Sequence, residues 1–254
     1  MPNTGVDFAN VINDTGEVTL YDSDLIYAGG GVATGDINND GLVDIFLSGN
    51  QVRSRLYLNL GDFKFSDITE SAGIFNNGWS TGVTMADVNG DGFLDIYVSV
   101  TGFKQEENKR TLLFINNGNR AFPERGQQYG LDDNGASQMA SFFDYDNDGD
   151  LDVFVVNQPD DISNTFQLPF YLDPKLVDTL NCSQLYENIG DSFVNVTSKS
   201  GIGYVNADGF QVSIADLNND GFLDMYVNND LLQPDFLFYN NGDKTFTEAL
   251  NSHM

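Results

Sequence analysis

Short runs rich in Val, Ile, Phe and Tyr recur along the chain, each closed by Gly, Asn or Asp, as at residues 56–58 and 63–68 on either side of residues 59–62. Runs of this kind, bounded by turn formers, read as β-strands joined in hairpins, and no stretch sustains the period of an amphipathic helix. Across the first full set the pattern predicts four antiparallel strands at residues 31–36, 44–48, 56–58 and 63–68. Small residues ahead of the acidic stretches, such as Gly82 and Ala86, suit strands crowded together near a common axis.

The set repeats. DINNDGLVDIFLS from Asp36, DVNGDGFLDIYVS from Asp87, DYDNDGDLDVFVV from Asp144 and DLNNDGFLDMYVN from Asp216 begin 51, 57 and 72 residues apart. Each is followed, always in that order, by a second shared block: RLYLNLGDFKFSDIT from Arg55, TLLFINNGNRAFPE from Thr111, QLYENIGDSFVNVT from Gln184 and FLFYNNGDKTFTEA from Phe236. A unit of about fifty residues holding four strands has the period of a propeller blade. One blade cannot bury both faces of its sheet, whereas radial stacking does so and also protects most strand edges. The expected fold is all-β, a β-propeller of four-stranded antiparallel blades at about residues 31–70, 81–125, 137–198 and 209–249. Residues 1–30 would hold part of a preceding blade, with VDFANVI from Val6 as its last strand.

Each acidic block fits D-x-[DN]-x-D-G-x-x-D, with oxygen side chains at positions 1, 3, 5 and 9 around a glycine at position 6. Hard oxygen donors at alternating positions of a tight loop converge on one cation, the glycine permits the sharp turn, and the carbonyl at position 7 adds a ligand. The candidate calcium sets are Asp36, Asn38, Asp40, the Leu42 carbonyl and Asp44; Asp87, Asn89, Asp91, the Phe93 carbonyl and Asp95; Asp144, Asp146, Asp148, the Asp150 carbonyl and Asp152; and Asp216, Asn218, Asp220, the Phe222 carbonyl and Asp224. About four Ca²⁺ are implied, one per loop. An EF-hand would need Glu at position 12, which is Leu47, Val98, Val155 and Val227 here, so the Asp at position 9 must close the site. Magnesium would demand stricter octahedral geometry, and no His or Cys stands near the loops to suit zinc. Without metal these stretches could only be Asx-rich turns whose crowded carboxylates repel one another.

Composition bears on partners. Acidic residues outnumber basic ones 38 to 11, for a formal charge of −27, which disfavours nucleic acid and anionic membranes. The loops hold three ligand carboxylates each except the third, which holds four, so four Ca²⁺ would bring the charge from −27 to −19. The single Cys182 excludes an intramolecular disulfide, and the single His253 leaves no serine or cysteine nucleophile with a plausible base. No apolar window long enough to span a membrane and no signal peptide are visible.

The units resemble the FG-GAP, or VCBS, repeats of integrin α-subunit propellers over nearly the whole chain. More narrowly, YAGGGVATGDINNDGLVDIFLSGNQVRSRLYLNLGDFKFSDITESAGI is similar to the secreted cartilage-acidic-protein-like repeat family. The resemblance implies structural calcium at the four loops, a seven-bladed propeller of which this chain supplies four repeats, and a secreted, cell-surface or periplasmic location. It implies a module for cell adhesion through a protein or glycan, and not an enzyme. The alternatives are a calcium-dependent polysaccharide lyase or hydrolase, disfavoured because the clustered carboxylates are committed to metal and bases are scarce, and a repeat that self-associates through open sheet edges. Candidate partner-binding aromatics lie on links opposite the acidic loops: Trp79, Phe166, Phe170, Tyr171 and Tyr204, beside the basic cluster Lys104, Lys109 and Arg110.

Overall fold

The computed structural model describes residues 4–13, 29–75, 78–101, 109–158, 179, 182–203, 208–230 and 234–250. The chain forms two compact units, residues 1–133 and 134–254. In the first, β1 (Val32–Gly35), β2 (Asp44–Leu47), β3 (Arg55–Asn59) and β4 (Phe65–Asp67) form one sheet in chain order. After a helical turn, α1 (Thr69–Ala72), the strands β5 (Trp79–Ala86), β6 (Asp95–Thr101) and β7 (Leu112–Phe114) form a second, and an isolated bridge from Phe114 to Glu124 marks where its fourth strand would lie. A second turn, α2 (Gly126–Tyr129), follows.

In the second unit β8 (Ala136–Phe143), β9 (Asp152–Gln158), β10 (Gln184–Asn188) and β11 (Phe193–Asn195) make one four-stranded sheet. The strands β12 (Gly209–Ala215), β13 (Asp224–Asn229), β14 (Phe236–Asn240) and β15 (Phe246–Glu248) make another. Every pairing is antiparallel between chain neighbours, so the protein is all-β and built of propeller-type blades.

Strand chemistry explains the layering. Along β14 the inward residues Phe236, Phe238 and Asn240 are buried while Leu237 and Tyr239 are only partly covered, the period-2 signature of a sheet with one core face. By contrast β6 and β9 are buried along their whole length, so both of their faces are covered, and their middles, Ile96–Val98 and Val153–Val156, are unbroken apolar runs. In the first unit one core joins Phe46, Leu56 and Leu58 to Ile96, Val98 and Phe114; in the second, Phe154, Val156 and Leu185 meet Val212, Met225 and Phe238. Each fully buried side chain of this size contributes roughly 1.5–3 kcal/mol.

The expected crowding of first strands is present. A Cβ on Gly31 would lie 2.7 Å from the Thr81 carbonyl, one on Gly35 2.5 Å from Leu94 Cδ1, and one on Gly209 2.6 Å from Val156 Cγ1. At Gly31 the obstacle is the backbone of β5, so glycine is needed there, whereas at Gly35 and Gly209 it is a neighbouring side chain that would have to shift.

Two strand expectations are corrected. Phe63 is not in a strand: it sits at the β3–β4 hairpin tip with φ 58° and 76% exposure, and β4 begins only at Phe65. The segment from Val6 forms no strand either. Instead the Thr4 carbonyl accepts the Phe65 N–H (2.7 Å), as the Ala72 carbonyl accepts that of Phe122 (2.9 Å) and the Ser200 carbonyl that of Phe246 (2.6 Å). Thr4-Gly5-Val6 thus takes the place that Ala72-Gly73-Ile74 and Ser200-Gly201-Ile202 hold elsewhere, as a connector laid along an outer hairpin. An apolar run alone does not distinguish such a connector from the strand it follows.

Candidate metal centres

The four acidic loops join β1 to β2, β5 to β6, β8 to β9 and β12 to β13. The aspartate at position 1 organises each loop by accepting backbone N–H groups. In the first loop Asp36 Oδ1 accepts from Asn38 (3.3 Å) and Asp40 (3.1 Å), and Oδ2 accepts from Gly41 (2.7 Å). Asp87, Asp144 and Asp216 take the N–H of Gly92, Gly149 and Gly221 at 2.8, 3.0 and 3.0 Å. These glycines have φ of 85°, 88°, 98° and 91° from first loop to last, with open space where a Cβ would stand. Backbone conformation and not crowding therefore requires them. Desolvation would raise the Asp36 carboxyl, but the N–H donors of Gly41, Asp40, Asn38 and Asn39 together outweigh it and hold it below the usual range.

The aspartate at position 9 opens the second strand and lies in the interior: Asp44, Asp95, Asp152 and Asp224 are at most 1% exposed. One oxygen of each accepts the N–H of position 2, from Ile37, Val88, Tyr145 and Leu217, at 2.9 to 3.0 Å. The other accepts the N–H of an asparagine at the end of the third strand or, for Asn116, two residues past it: Asn59, Asn116, Asn188 or Asn240, at 2.7 to 2.8 Å. Among the described residues no basic side chain pairs with any of these four carboxylates. Burial pushes Asp95 and Asp152 up to about 7 despite those donors, with the charges of neighbouring loop aspartates adding to the rise, and burial raises Asp44 in the same way.

A pH dependence follows. A carboxyl whose folded value lies above its unfolded value contributes stability that is present below the unfolded value, near 3.8, and is lost as pH rises through about 7. Metal-free protein is expected to gain several degrees in Tm between pH 7 and pH 5, read by circular dichroism after exhaustive removal of divalent ions. A flat or falling profile would show that these aspartates are not strained.

The third-strand asparagines were not singled out from sequence, although each stands in the repeated N-x-G of the second block. Their side-chain amides donate to the position-8 carbonyl of their own loop: Asn59 to Val43 (2.8 Å), Asn116 to Leu94 (3.2 Å), Asn188 to Leu151 (3.2 Å) and Asn240 to Leu223 (3.2 Å). Asn116 and Asn240 also reach the neighbouring loop, donating to the Ile37 carbonyl (2.8 Å) and the Tyr145 carbonyl (2.7 Å). Position 4 was likewise overlooked. Asn39, Asn147 and Asn219 have φ near 60°, and Asn39 and Asn147 donate to the Gly92 and Gly221 carbonyls at 3.0 and 3.2 Å. The loops are thus tied in pairs within each unit.

The donor set suits calcium: each loop offers carboxylate and carbonyl oxygens, joined in all but the third by the asparagine amide oxygen at position 3, and no nitrogen or sulfur ligand. In the third loop donor oxygens of Asp144, Asp146 and Asp152 lie within 4.8 Å of one another. In the other three, position 3 is an asparagine whose amide donates to the position-5 aspartate, Asn38 to Asp40 (3.0 Å), Asn89 to Asp91 (3.0 Å) and Asn218 to Asp220 (2.8 Å). At position 7, Leu42, Phe93, Asp150 and Phe222 each donate the backbone N–H to the position-5 carboxylate at 2.9 to 3.1 Å.

The partner-binding expectations fare differently. Trp79 is corrected: it is the first residue of β5, paired with Thr101 and only 6% exposed, so it belongs to the interior and cannot present a free ring. Phe166, Phe170, Tyr171 and Tyr204 lie outside the described residues, as does Lys104. Arg110 is engaged with Asp132 at 3.1 Å. Opposite the acidic loop of the first blade, the β2–β3 link and the segment after α1 line an open depression of about 360 Å³ with Asn50, Gln51, Val52, Arg53, Phe75 and Gly78.

Up-and-down blades with a carboxylate-rich loop between the first two strands define a propeller-type repeat as the class of module. The FG-GAP-like repeat family matches residues 36–98 and 102–155, so this part of the chain carries FG-GAP-like repeats. Cartilage acidic protein 1 of Xenopus tropicalis is 34% identical over 136 residues, covering 52% of this chain, and the match spans 20% of that protein. Among solved structures, an Agrocybe aegerita lectin that recognises non-reducing terminal N-acetylglucosamine aligns with TM-score 0.44 and 19% identity, over 84% of this chain and 49% of the lectin. The V. cholerae biofilm matrix protein Bap1 aligns with TM-score 0.43 and 14% identity, over 85% and 27% of the two chains. Among the described residues no helix is long and apolar enough to cross a membrane.

Proposed function

We propose that this chain is a calcium-stiffened extracellular repeat module that presents loops to a glycan or protein partner. The observation that carries the calcium reading is the set of four interior aspartates with no basic partner among the described residues, each at the mouth of a loop lined with further carboxylates. A buried carboxylate facing like charges is costly, and a divalent cation bound by the same loop offsets that cost. Bound calcium would supply the positive charge; the chain's own residues supply position, with Asp36 and its counterparts curling the loop and Asn59 and its counterparts locking its end to the third strand.

Location follows from affinity. Loops of a few carboxylates fill at the millimolar calcium found outside cells, whereas sites of micromolar or poorer affinity would stand mostly empty in the cytosol. The partner face is assigned to the links between second and third strands. Antiparallel order puts them at the blade end away from the acidic loops, and the polar depression at Asn50, Gln51 and Arg53 with the half-exposed Phe75 combines hydrogen-bonding groups with one aromatic face.

Calorimetric titration of metal-free protein is expected to give about four calcium sites. Nanomolar affinity at all four would remove the argument for an extracellular address, and absence of binding would overturn the calcium reading. A glycan array read in calcium with wild type and with Phe75→Ala tests the partner face: binding that Phe75→Ala leaves untouched would move the site elsewhere.

A further inference from the structure

The third loop differs from the other three in having aspartate at position 3, and among the described residues it alone has a lysine laid on that residue. Lys244 Nζ lies 2.6 Å from Asp146 Oδ2 and 2.5 Å from Glu187 Oε1. The Asp146 side chain is 1% exposed, that of Lys244 53% and that of Glu187 21%. This is a nearly buried carboxylate capped by a cation that remains open to solvent. Its place is fixed on every side. Lys244 holds φ 68° at the β14–β15 tip, the Tyr145 ring stacks on Phe246 at 6.0 Å and 21°, and Asn240 binds the Tyr145 carbonyl at 2.7 Å.

The first unit provides a control within the same chain. The tip residue corresponding to Lys244 is Arg120, also at positive φ (65°), and the residue corresponding to Asp146 is Asn38. There the amide of Asn38 donates to Asp40, and Arg120 makes no ion pair among the described residues. The lysine contact therefore accompanies the extra carboxylate and not the hairpin shape. Asp146 and Lys244 together carry no net charge, so the pair brings the four ligand carboxylates of the third loop down to the charge of the three in each other loop.

We propose that Lys244 is a built-in counter-cation that competes with calcium for Asp146 and so sets the affinity of the third loop. The inference rests on the calcium reading above. An ammonium group on a ligand carboxylate draws off part of that carboxylate's field and repels a dication at the same site, and by linkage the two cations weaken one another. Removing the lysine should leave a four-carboxylate loop that binds divalent ions more tightly than wild type.

Tyr145, at position 2, is the only tyrosine or tryptophan within the four nine-residue loops, so terbium bound there should show tyrosine-sensitised emission that reports chiefly on this loop. Displacement of terbium by calcium then gives its affinity. Lys244→Asn, which tolerates the positive φ, should tighten calcium binding at this loop about fivefold, while Lys244→Arg keeps the wild-type value. In an Asp146→Asn background the same Lys244→Asn change should have little effect. Equal or weaker calcium affinity in folded Lys244→Asn, with terbium emission intact, would overturn the role of Lys244 and leave the calcium reading standing. Absence of terbium and calcium binding in wild type would overturn both. Lys244→Gln provides the same readout should the asparagine variant not fold.

Discussion

Removing calcium from the folded protein should lower its Tm by about 20 °C. A ligand bound only by the native state adds about 2.7 kcal/mol at a hundredfold excess over its Kd, four loops would add about 11 kcal/mol, and a chain of this size gains roughly 2 °C per kcal/mol. The size of the effect reflects where the carboxylates lie: Asp44, Asp95, Asp152 and Asp224 head interior strands and are buried, so their cost is borne inside the blades. Scanning calorimetry in millimolar calcium and in excess chelator provides the measurement, and coincident transitions would mean that the loops do not hold the fold. Magnesium in place of calcium should restore only part of the difference, because magnesium demands a strict octahedron at shorter distances whereas calcium accepts irregular sets of oxygen ligands such as these loops offer.

The second large effect is expected at Asn116, whose side chain touches none of the candidate metal ligands. Its amide donates to both the Ile37 and Leu94 carbonyls, its Oδ1 accepts the Gly118 N–H at 3.0 Å, and the residue is 0% exposed. Asn116→Ala would leave two buried carbonyls and one N–H without partners and open a void, for a loss of about 3 kcal/mol. Asn59→Ala, at the same place in the first blade, removes one amide donor, to Val43 in an exposed setting, and the acceptor of the Gly61 N–H, and should cost about 1 kcal/mol. Denaturant unfolding of the two variants in calcium and in chelator separates the causes. A loss at Asn116 that persists without calcium belongs to the tie between blades, whereas equal small losses for both variants would show that the asparagine serves only its own loop.

Much of this molecule was legible in its sequence. The period of the D-x-[DN]-x-D-G-x-x-D block, the glycine at its sixth position and the alternating runs after it led to up-and-down blades, because strand pairing between chain neighbours is a local matter and recurs wherever the local pattern does. The loop curl was legible for the same reason: a side chain at position 1 reaches the N–H groups of positions 5 and 6 without help from the rest of the fold.

Residues whose meaning depends on distant neighbours were not. Trp79 read as an exposed aromatic and is buried at the head of β5, since a link and the first residue of a strand look alike until pairing with Thr101 is known. Phe63 read as strand and is an exposed tip, because the strand after the hairpin begins two residues later than its apolar character suggests. Asn116 and Asn240 read as turn formers, and only the packing of one blade on the next makes them ties between loops 79 and 95 residues away in sequence. Nothing local in the sequence singles out Lys244; its contact with Asp146 exists because the Tyr145–Phe246 stack and the asparagine bridge bring two blades into register. The sequence by itself determined what repeats, since a repeat is local chemistry stated four times. The tertiary structure decided what differs among the repeats, since a difference acquires its meaning from the side chain that packing sets against it.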